Sequence, residues 1–299
     1  MELRQLKYFV KTAHALNFSE AARQLYISQS TLSQQIRQLE NELSCELFVR
    51  DSHKVTLTEF GERLLPLASK CMYDADNCVM EIANLKNMNV GTLNIGVTFT
   101  FSKIMWYTMK EFLYAFKGVK LNVVYTNTQT LKKMLRKHEI DFALAYKSED
   151  DTEDFDSYEL FTTQLCAVLP KGHALAERKS LSLTELQGFP IAMPSQGVQG
   201  RKWIDRELHA NPDIKLNVRI EINDANVLCN LVEQGERLVT ILSKVSVAGH
   251  NGLVAIPLEI PNNEMYGCVH MLKDVYNKHT AQVFIKMLRE SPVVMMMKL

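Results

Sequence analysis

Gln29, Ser33 and Arg37 recur at every fourth residue, flanked by Ser28, Ser30 and Gln34, and no carboxylate follows Ser28 until Glu40. On a helix this spacing gathers donors and acceptors on one face. A glutamine amide pairs bidentately with adenine, a guanidinium with guanine, and serine hydroxyls serve bases or phosphates, so the face suits a major groove. Ser28, Gln29 and Ser30 also fall at the expected helix start, where free backbone amides favour a phosphate. Downstream, Arg50, His53 and Lys54 stand on or between two β-like runs, 47–50 and 54–57, joined by Asp51-Ser52-His53. A basic wing of this kind adds affinity through the DNA backbone with little sequence choice.

A second set of polar residues stands where strands give way to helices. Thr98, Thr100 and Ser102 follow one apolar strand, Thr128 follows the next, and Ser195 with Gln196 follows Met193-Pro194. Hydroxyls beside helix N-terminal amides suit a small anion such as a carboxylate. Singly, each is as well explained as a helix cap. Their convergence is what suggests a pocket.

The elements behind these residues follow from periodicity. Leu6, Phe9, Val10 and Ala13 predict a first amphipathic helix ending near 16–18, and Ser19 is a candidate N-cap for a second, Glu20 to Tyr26. Ala21-Ala22 is small enough for another helix to cross closely. Leu32, Ile36, Leu39 and Leu43 give the third helix, 28–43, an apolar face opposite the polar one. A polar outer face is ordinary for any surface helix. Close-packed alanines, a face without carboxylates and a basic hairpin together point to a winged helix-turn-helix.

From Thr58 to about Met88 the chain predicts one long helix. Leu64, Ala68, Cys71, Ala75, Cys78, Ile82 and Leu85 form an alternating 4,3 stripe, which asks for a partner helix or for its own domain's core. Cys71 and Cys78 on this stripe read as small apolar residues, with a cross-link between subunits as the alternative. Beyond Gly91 strands and helices alternate. Strands at 92–97, 120–125 and 141–145 enclose helices at 102–116 and 129–137. A second set follows, with strands at 165–169, 191–193, 216–222, 238–242 and 267–271 and helices at 200–209, 225–235 and 280–289. The βαβαβ order implies parallel sheets covered on both faces, and two such lobes make a cleft at their strand C-termini.

The segments Phe18-Ser19-Glu20-Ala21-Ala22-Arg23-Gln24-Leu25, Ser28-Gln29-Ser30-Thr31-Leu32-Ser33, Ile36-Arg37-Gln38-Leu39-Glu40, Leu47-Phe48-Val49-Arg50 and Leu57-Thr58 closely resemble the LysR-type transcriptional regulators. Ser30 stands where many members carry proline and Gln34 where arginine is frequent. Pro170-Lys171-Gly172-His173-Ala174-Leu175-Ala176 and 182–186 resemble the same family more loosely. The resemblance implies a winged helix-turn-helix head (1–58) and a linker helix that makes dimers (59–89). It also implies a two-lobed, periplasmic-binding-protein-like effector domain (90–299), with lobe 1 about 90–162 and 269–299 and lobe 2 about 163–268. It implies an imperfect inverted-repeat operator on double-stranded DNA, dimers that pair into tetramers, RNA polymerase as a partner, and an effector at Thr98, Thr100, Ser102, Thr128, Ser195 and Gln196. Many relatives place a cation near that cleft, where this sequence has Tyr146-Lys147. Cys166 and Cys268 lie on strands that the family fold makes neighbours, which opens a thiol-switch alternative. Peroxide-sensing relatives use a cysteine pair in the region 195–209, which here has none.

Composition frames these readings. The 299 residues are 46% hydrophobic and 23% charged with zero formal net charge, the profile of a globular chain of about two domains with no global basic signature. The charged start is unlike a signal peptide, no apolar run approaches ~20 residues, and the six cysteines form no CxxC, so a cytoplasmic setting with reduced thiols and no membrane is expected. Neither GxSxG, HExxH, a phosphate-cradling glycine loop nor zinc spacing occurs, so neither an enzyme nor a cofactor is expected. A transport solute-binding module is the rival from another class; the helix-turn-helix argues against it.

Overall fold

The computed structural model describes residues 1–50, 54–85, 90–148, 154–235, 237–275 and 277–297. They divide into two compact units, one of residues 1–88 with 136–139 and the other of residues 89–135 with 140–299.

The first unit contains α1 (Leu3–Ala15), α2 (Phe18–Gln24), α3 (Gln29–Leu43), β1 (Phe48–Arg50), β2 (Val55–Leu57) and α4 (Glu59–Leu85). Leu6, Phe9, Phe18, Leu32, Ile36, Leu39 and Phe48 close its core, and Ala21 and Ala22 are buried where α2 meets its neighbours. The start of α2 corrects the expected Ser19 cap. Leu16 adopts a left-handed conformation that ends α1 early, and Asn17 then caps α2 by accepting from the Glu20 amide at 3.0 Å. Ser28 caps α3 as expected, accepting from the Thr31 amide at 3.1 Å. β1 and β2 pair antiparallel, Phe48 opposite Leu57. Thr58 caps α4 through the Gly61 amide, and at Gly61 any Cβ would collide with the Leu47 carbonyl oxygen, so glycine is required there.

The α4 stripe also differs from its expected form. Ala68 is buried in the head, Leu64 is half-buried against it, and the Leu85 side chain lies outside the described residues. The face left open instead carries Phe60, Leu67, Cys71, Cys78 and Ile82.

The second unit runs through β3 (Val90–Val97), α5 (Ser102–Ala115), β4 (Gly118–Tyr125), α6 (Thr128–Arg136), β5 (Phe142–Tyr146), β6 (Phe155–Thr163) and β7 (Leu165–Pro170). It continues with β8 (Pro190–Pro194), α7 (Gln199–Ala210), β9 (Asn217–Ile222), α8 (Ala225–Gln234), β10 (Val239–Ser243), β11 (Leu253–Pro257), β12 (Met265–Leu272), α9 (His279–Glu290) and α10 (Pro292–Met297). Two five-stranded sheets result, ordered β4-β3-β5-β12-β6 and β11-β7-β10-β8-β9. The expected lobe limits fall within β6 and β12, the strands flanking the crossings between sheets.

Both sheets are mixed, where the βαβ order predicted parallel ones. β3 pairs parallel with β4 and β5, but β12 returns antiparallel to β5 and β6, and β7 runs antiparallel to β10 and β11. The strands that cross between lobes arrive from the opposite end, which reverses their sense. Lys278 at the start of α9 anchors this return. Its ammonium meets Asp141 Oδ1 at 2.9 Å and donates to the Thr92 carbonyl, while Asp141 Oδ2 accepts from the Asn94 amide, the Lys278 and Asp141 side chains being 7% and 2% exposed. No helix of the described residues is long and apolar enough to cross a membrane.

Candidate nucleic-acid interface and effector cleft

On α3 the apolar positions point inward and leave Ser28, Gln29, Ser30, Gln34 and Arg37 exposed, with Ser33 half-buried. Internal hydrogen bonds order the front of this face. Ser28 Oγ lies 2.8 Å from Ser30 Oγ and 2.7 Å from Thr31 Oγ1, and Gln29 Nε2 donates to Ser33 Oγ at 3.1 Å. Arg37 meets no carboxylate within the described residues, so its donors face solvent.

Arg50, expected against the DNA backbone, has partners inside the head as well. Its guanidinium donates to Glu40 Oε2 at 2.7 Å and lies 4.8 Å over the Phe18 ring. Glu40, nearly buried at the end of α3, also accepts from the Leu47 and Phe48 amides. Arg50 thus ties the wing to the recognition helix, its charge already matched by Glu40 before any phosphate is met. Lys54 is exposed on the second strand's approach. His53 lies outside the described residues. Residues 1–62 carry seven lysines and arginines against eight carboxylates. The head therefore has no net positive charge beyond its terminus, and any affinity for phosphates comes from local groups.

In the second unit a cleft of about 320 Å³ opens between the two sheets. It collects Thr98 and Thr100 from the end of β3, Thr128 from the start of α6, and Ser195 with Gln196 after β8, which are five of the six residues the turns predicted. Ser102 is not among the lining residues. Its hydroxyl donates to the Phe99 carbonyl and bonds the Tyr125 hydroxyl, so it stands one residue behind the wall. Helix beginnings converge here: Asn127 accepts from the Thr130 amide to start α6, Asp224 caps α8, and α7 begins at Gln199. Thr98 Oγ1 is buried without a hydrogen-bond partner among the described residues.

Lys147, expected near the cleft, is exposed and does not line it. Tyr146 points in instead and donates to Ser243 Oγ at 2.7 Å, joining the sheets beneath the cleft. Burial pushes the phenols of Tyr125 and Tyr146 above their ordinary range, so both stay protonated donors at neutral pH. No carboxylate, ammonium, guanidinium or imidazole belongs to the described lining. A ligand here meets hydroxyls, amides and helix dipoles, with Phe99 and Tyr125 rings 5.6 Å apart at one side. Gln199, Tyr125 and Asn127 escaped sequence reasoning as site residues, although the last two flank a strand end already singled out.

Cys166 and Cys268, expected on neighbouring strands, belong to different sheets: β7 pairs with β10 and β11, β12 with β5 and β6. Both are buried, and desolvation pushes the Cys166 thiol up to about 12. This pair gives no support to a thiol switch.

A three-helix head with an outward polar recognition helix, joined to a two-lobed α/β sensor with a neutral cleft, defines a one-chain transcription factor. Residues 3–62 match the bacterial regulatory helix-turn-helix protein, lysR family, and residues 86–292 match the LysR substrate binding domain. The chain belongs to the LysR family. Among its relatives are the transcriptional regulator SsuR of Burkholderia cenocepacia, 30% identical over 79% of this chain and 77% of that one, and the Hca operon transcriptional activator HcaR of Escherichia coli, 31% identical over 79% of each. The fold also matches a full-length OxyR variant from Pseudomonas aeruginosa, with a TM-score of 0.77 at 21% identity over 98% and 96% of the chains. Full-length CbnR in complex with its target DNA gives 0.62 at 18% identity over 97% and 99%. The protein is accordingly a DNA-binding regulator whose activity an effector controls.

Proposed function

We propose that this regulator reads an imperfect inverted-repeat operator as a homodimer. Gln29, Ser33, Gln34 and Arg37 meet base edges, while Ser28, Ser30 and Lys54 meet phosphates. Dimers pair into tetramers, and the protein works in the cytoplasm with RNA polymerase as the protein partner. It performs no catalysis; the named relatives are regulators.

The effector in this reading is a small organic anion, held by Thr98, Thr100, Thr128, Ser195 and Gln196 with help from Tyr125 and Gln199. The observation that carries it is the cleft's convergence of helix beginnings and hydroxyls, with a buried Thr98 hydroxyl lacking any partner among the described residues. Helix N-termini stabilise negative charge without a counter-cation.

The test is a thermal-shift screen of small carboxylates and sulfonates on the full chain. A ligand at a hundred times its Kd should stabilise the sensor by about 2.7 kcal/mol. Thr98→Val with Thr128→Val should remove that gain and leave operator binding intact. Equal stabilisation of the double variant would rule out this site.

A further inference from the structure

The open face of α4 has an order of its own. At 3.6 residues per turn, exposed Phe60, Leu67, Cys71, Cys78 and Ile82, with half-buried Leu64 and Ala75 beside them, fall within an arc of roughly 80°. Phe60, Leu67 and Ile82 are 61%, 63% and 55% exposed, and both cysteines are exposed. Large apolar groups left in water along one helical stripe ask for another apolar surface.

The stripe is also symmetric along the chain. Residues 60 and 82, 64 and 78, and 67 and 75 lie at equal distances on either side of 71. A second copy of the helix laid antiparallel about a two-fold axis at residue 71 therefore meets apolar with apolar throughout. Phe60 faces Ile82 of the partner subunit, Leu64 faces Cys78 of the partner subunit, and Leu67 faces Ala75 of the partner subunit. A parallel pairing would set Phe60 on Phe60 of the partner subunit and leave the small residues together, a worse match of large with small.

We infer that Cys71 lies on the dimer axis opposite Cys71 of the partner subunit, and that the pair is a site of reversible disulfide formation. This rests on the homodimer proposed above. Helices with axes about 8–10 Å apart and Cα atoms at a radius of about 2.3 Å bring seam Cα atoms to roughly 3.5–5.5 Å, which overlaps the range a disulfide needs. The chemistry balances with a peroxide as oxidant. One Cys71 thiol releases its proton and attacks the peroxide as thiolate, the O–O bond breaks to leave a sulfenic acid, and the displaced hydroxide takes up that proton as water. Cys71 of the partner subunit then attacks that sulfur, the S–S bond forms, and hydroxide leaves to take up a proton. Two thiols are oxidised and one peroxide is reduced to two waters.

The experiment treats the reduced, full-length protein with hydrogen peroxide and follows it on a non-reducing gel, with sedimentation run alongside. Wild type should give a band at twice 34.2 kDa that a thiol reductant abolishes. Cys71→Ser should lose at least nine-tenths of that band and remain dimeric by sedimentation, whereas Cys78→Ser should keep it. Peptide mapping of the band should show Cys71 joined to Cys71. A dimer that gives no band overturns the inference and leaves the dimer standing, as does a band that survives Cys71→Ser and disappears in Cys78→Ser. A chain that sediments as a monomer overturns both.

Discussion

The head's recognition face and the sensor's cleft are both polar, and they use polarity in opposite ways. On α3, Gln29, Gln34 and Arg37 are exposed, so their polar groups can exchange water for a base edge. In the cleft, Thr128, Tyr146, Gln199 and the Thr98 hydroxyl are withdrawn from water, and no charged side chain belongs to the described lining. There a ligand meets dipoles whose strength rises because water is excluded. The exposed surface can tolerate the loss of a partner; the enclosed one cannot. A regulator needs both, since an operator must be released as well as held, while an effector must shift a whole domain.

The same contrast governs the ion pairs and yields the largest expected effect. Lys278 and Asp141 are buried in the sensor, while Arg50 and Glu40 in the head are 32% and 10% exposed. Removing one member of a buried pair leaves an uncompensated charge, so Lys278→Ala should cost about 3–5 kcal/mol in the sensor's unfolding transition. Arg50→Ala should cost no more than about 1–3 kcal/mol in the head. Calorimetry resolves the two transitions, and a smaller loss for Lys278→Ala than for Arg50→Ala would reverse the contrast.

Next come the base-reading residues. Gln29→Ala and Arg37→Ala should each weaken operator binding by about 1–3 kcal/mol and relax preference at one position per half-site. Binding measured on operator and on scrambled duplex separates this from a general loss. Equal weakening on both sequences would return these residues to a backbone role.

A finer effect separates Lys54 from Arg50. An exposed lysine that meets a phosphate contributes about one unit per head to the slope of log K against log salt. Lys54→Ala should reduce the slope by that amount. Arg50→Ala should change it less, because its charge is already matched by Glu40. Identical slopes for the two variants would show that Arg50 leaves Glu40 when DNA arrives.

These differences also show what a linear sequence reveals. The recognition helix was legible because Leu32, Ile36 and Leu39 set one face and thereby place Gln29, Ser33 and Arg37 on the other. The cleft hydroxyls were legible because strand ends in an α/β order face one edge of a sheet. What escaped was long-range or nearest-neighbour in origin. Arg50 is captured by a carboxylate ten residues earlier, which periodicity does not encode. Asn17 outcompeted Ser19 because Leu16 turned left-handed first. Tyr146, at the end of a continuously buried strand, and Lys147, just beyond it, differ in burial, and the neighbourhood alone did not say which of the two reaches the cleft. β6 and β11 went unread, and β12 took the antiparallel sense because chain crossings between lobes decide direction.

The smallest effect concerns thiols, and it bears on the contrast from another side. Burial pushes Cys166 and Cys229 up to about 12, from an ordinary 9.0. The thiolate is the reactive form, so in the native protein both should resist iodoacetamide between pH 7 and 9, and react once the chain is unfolded. The sign for stability follows. The folded state favours the protonated thiol, so this contribution is intact below the unfolded value of 9.0 and fades as pH rises through about 12. Mass mapping of labelled peptides checks both residues at once. Rapid native labelling of Cys166 would mean that the sensor's interior opens on the minute scale, and the argument that its cleft works by excluding water would have to yield.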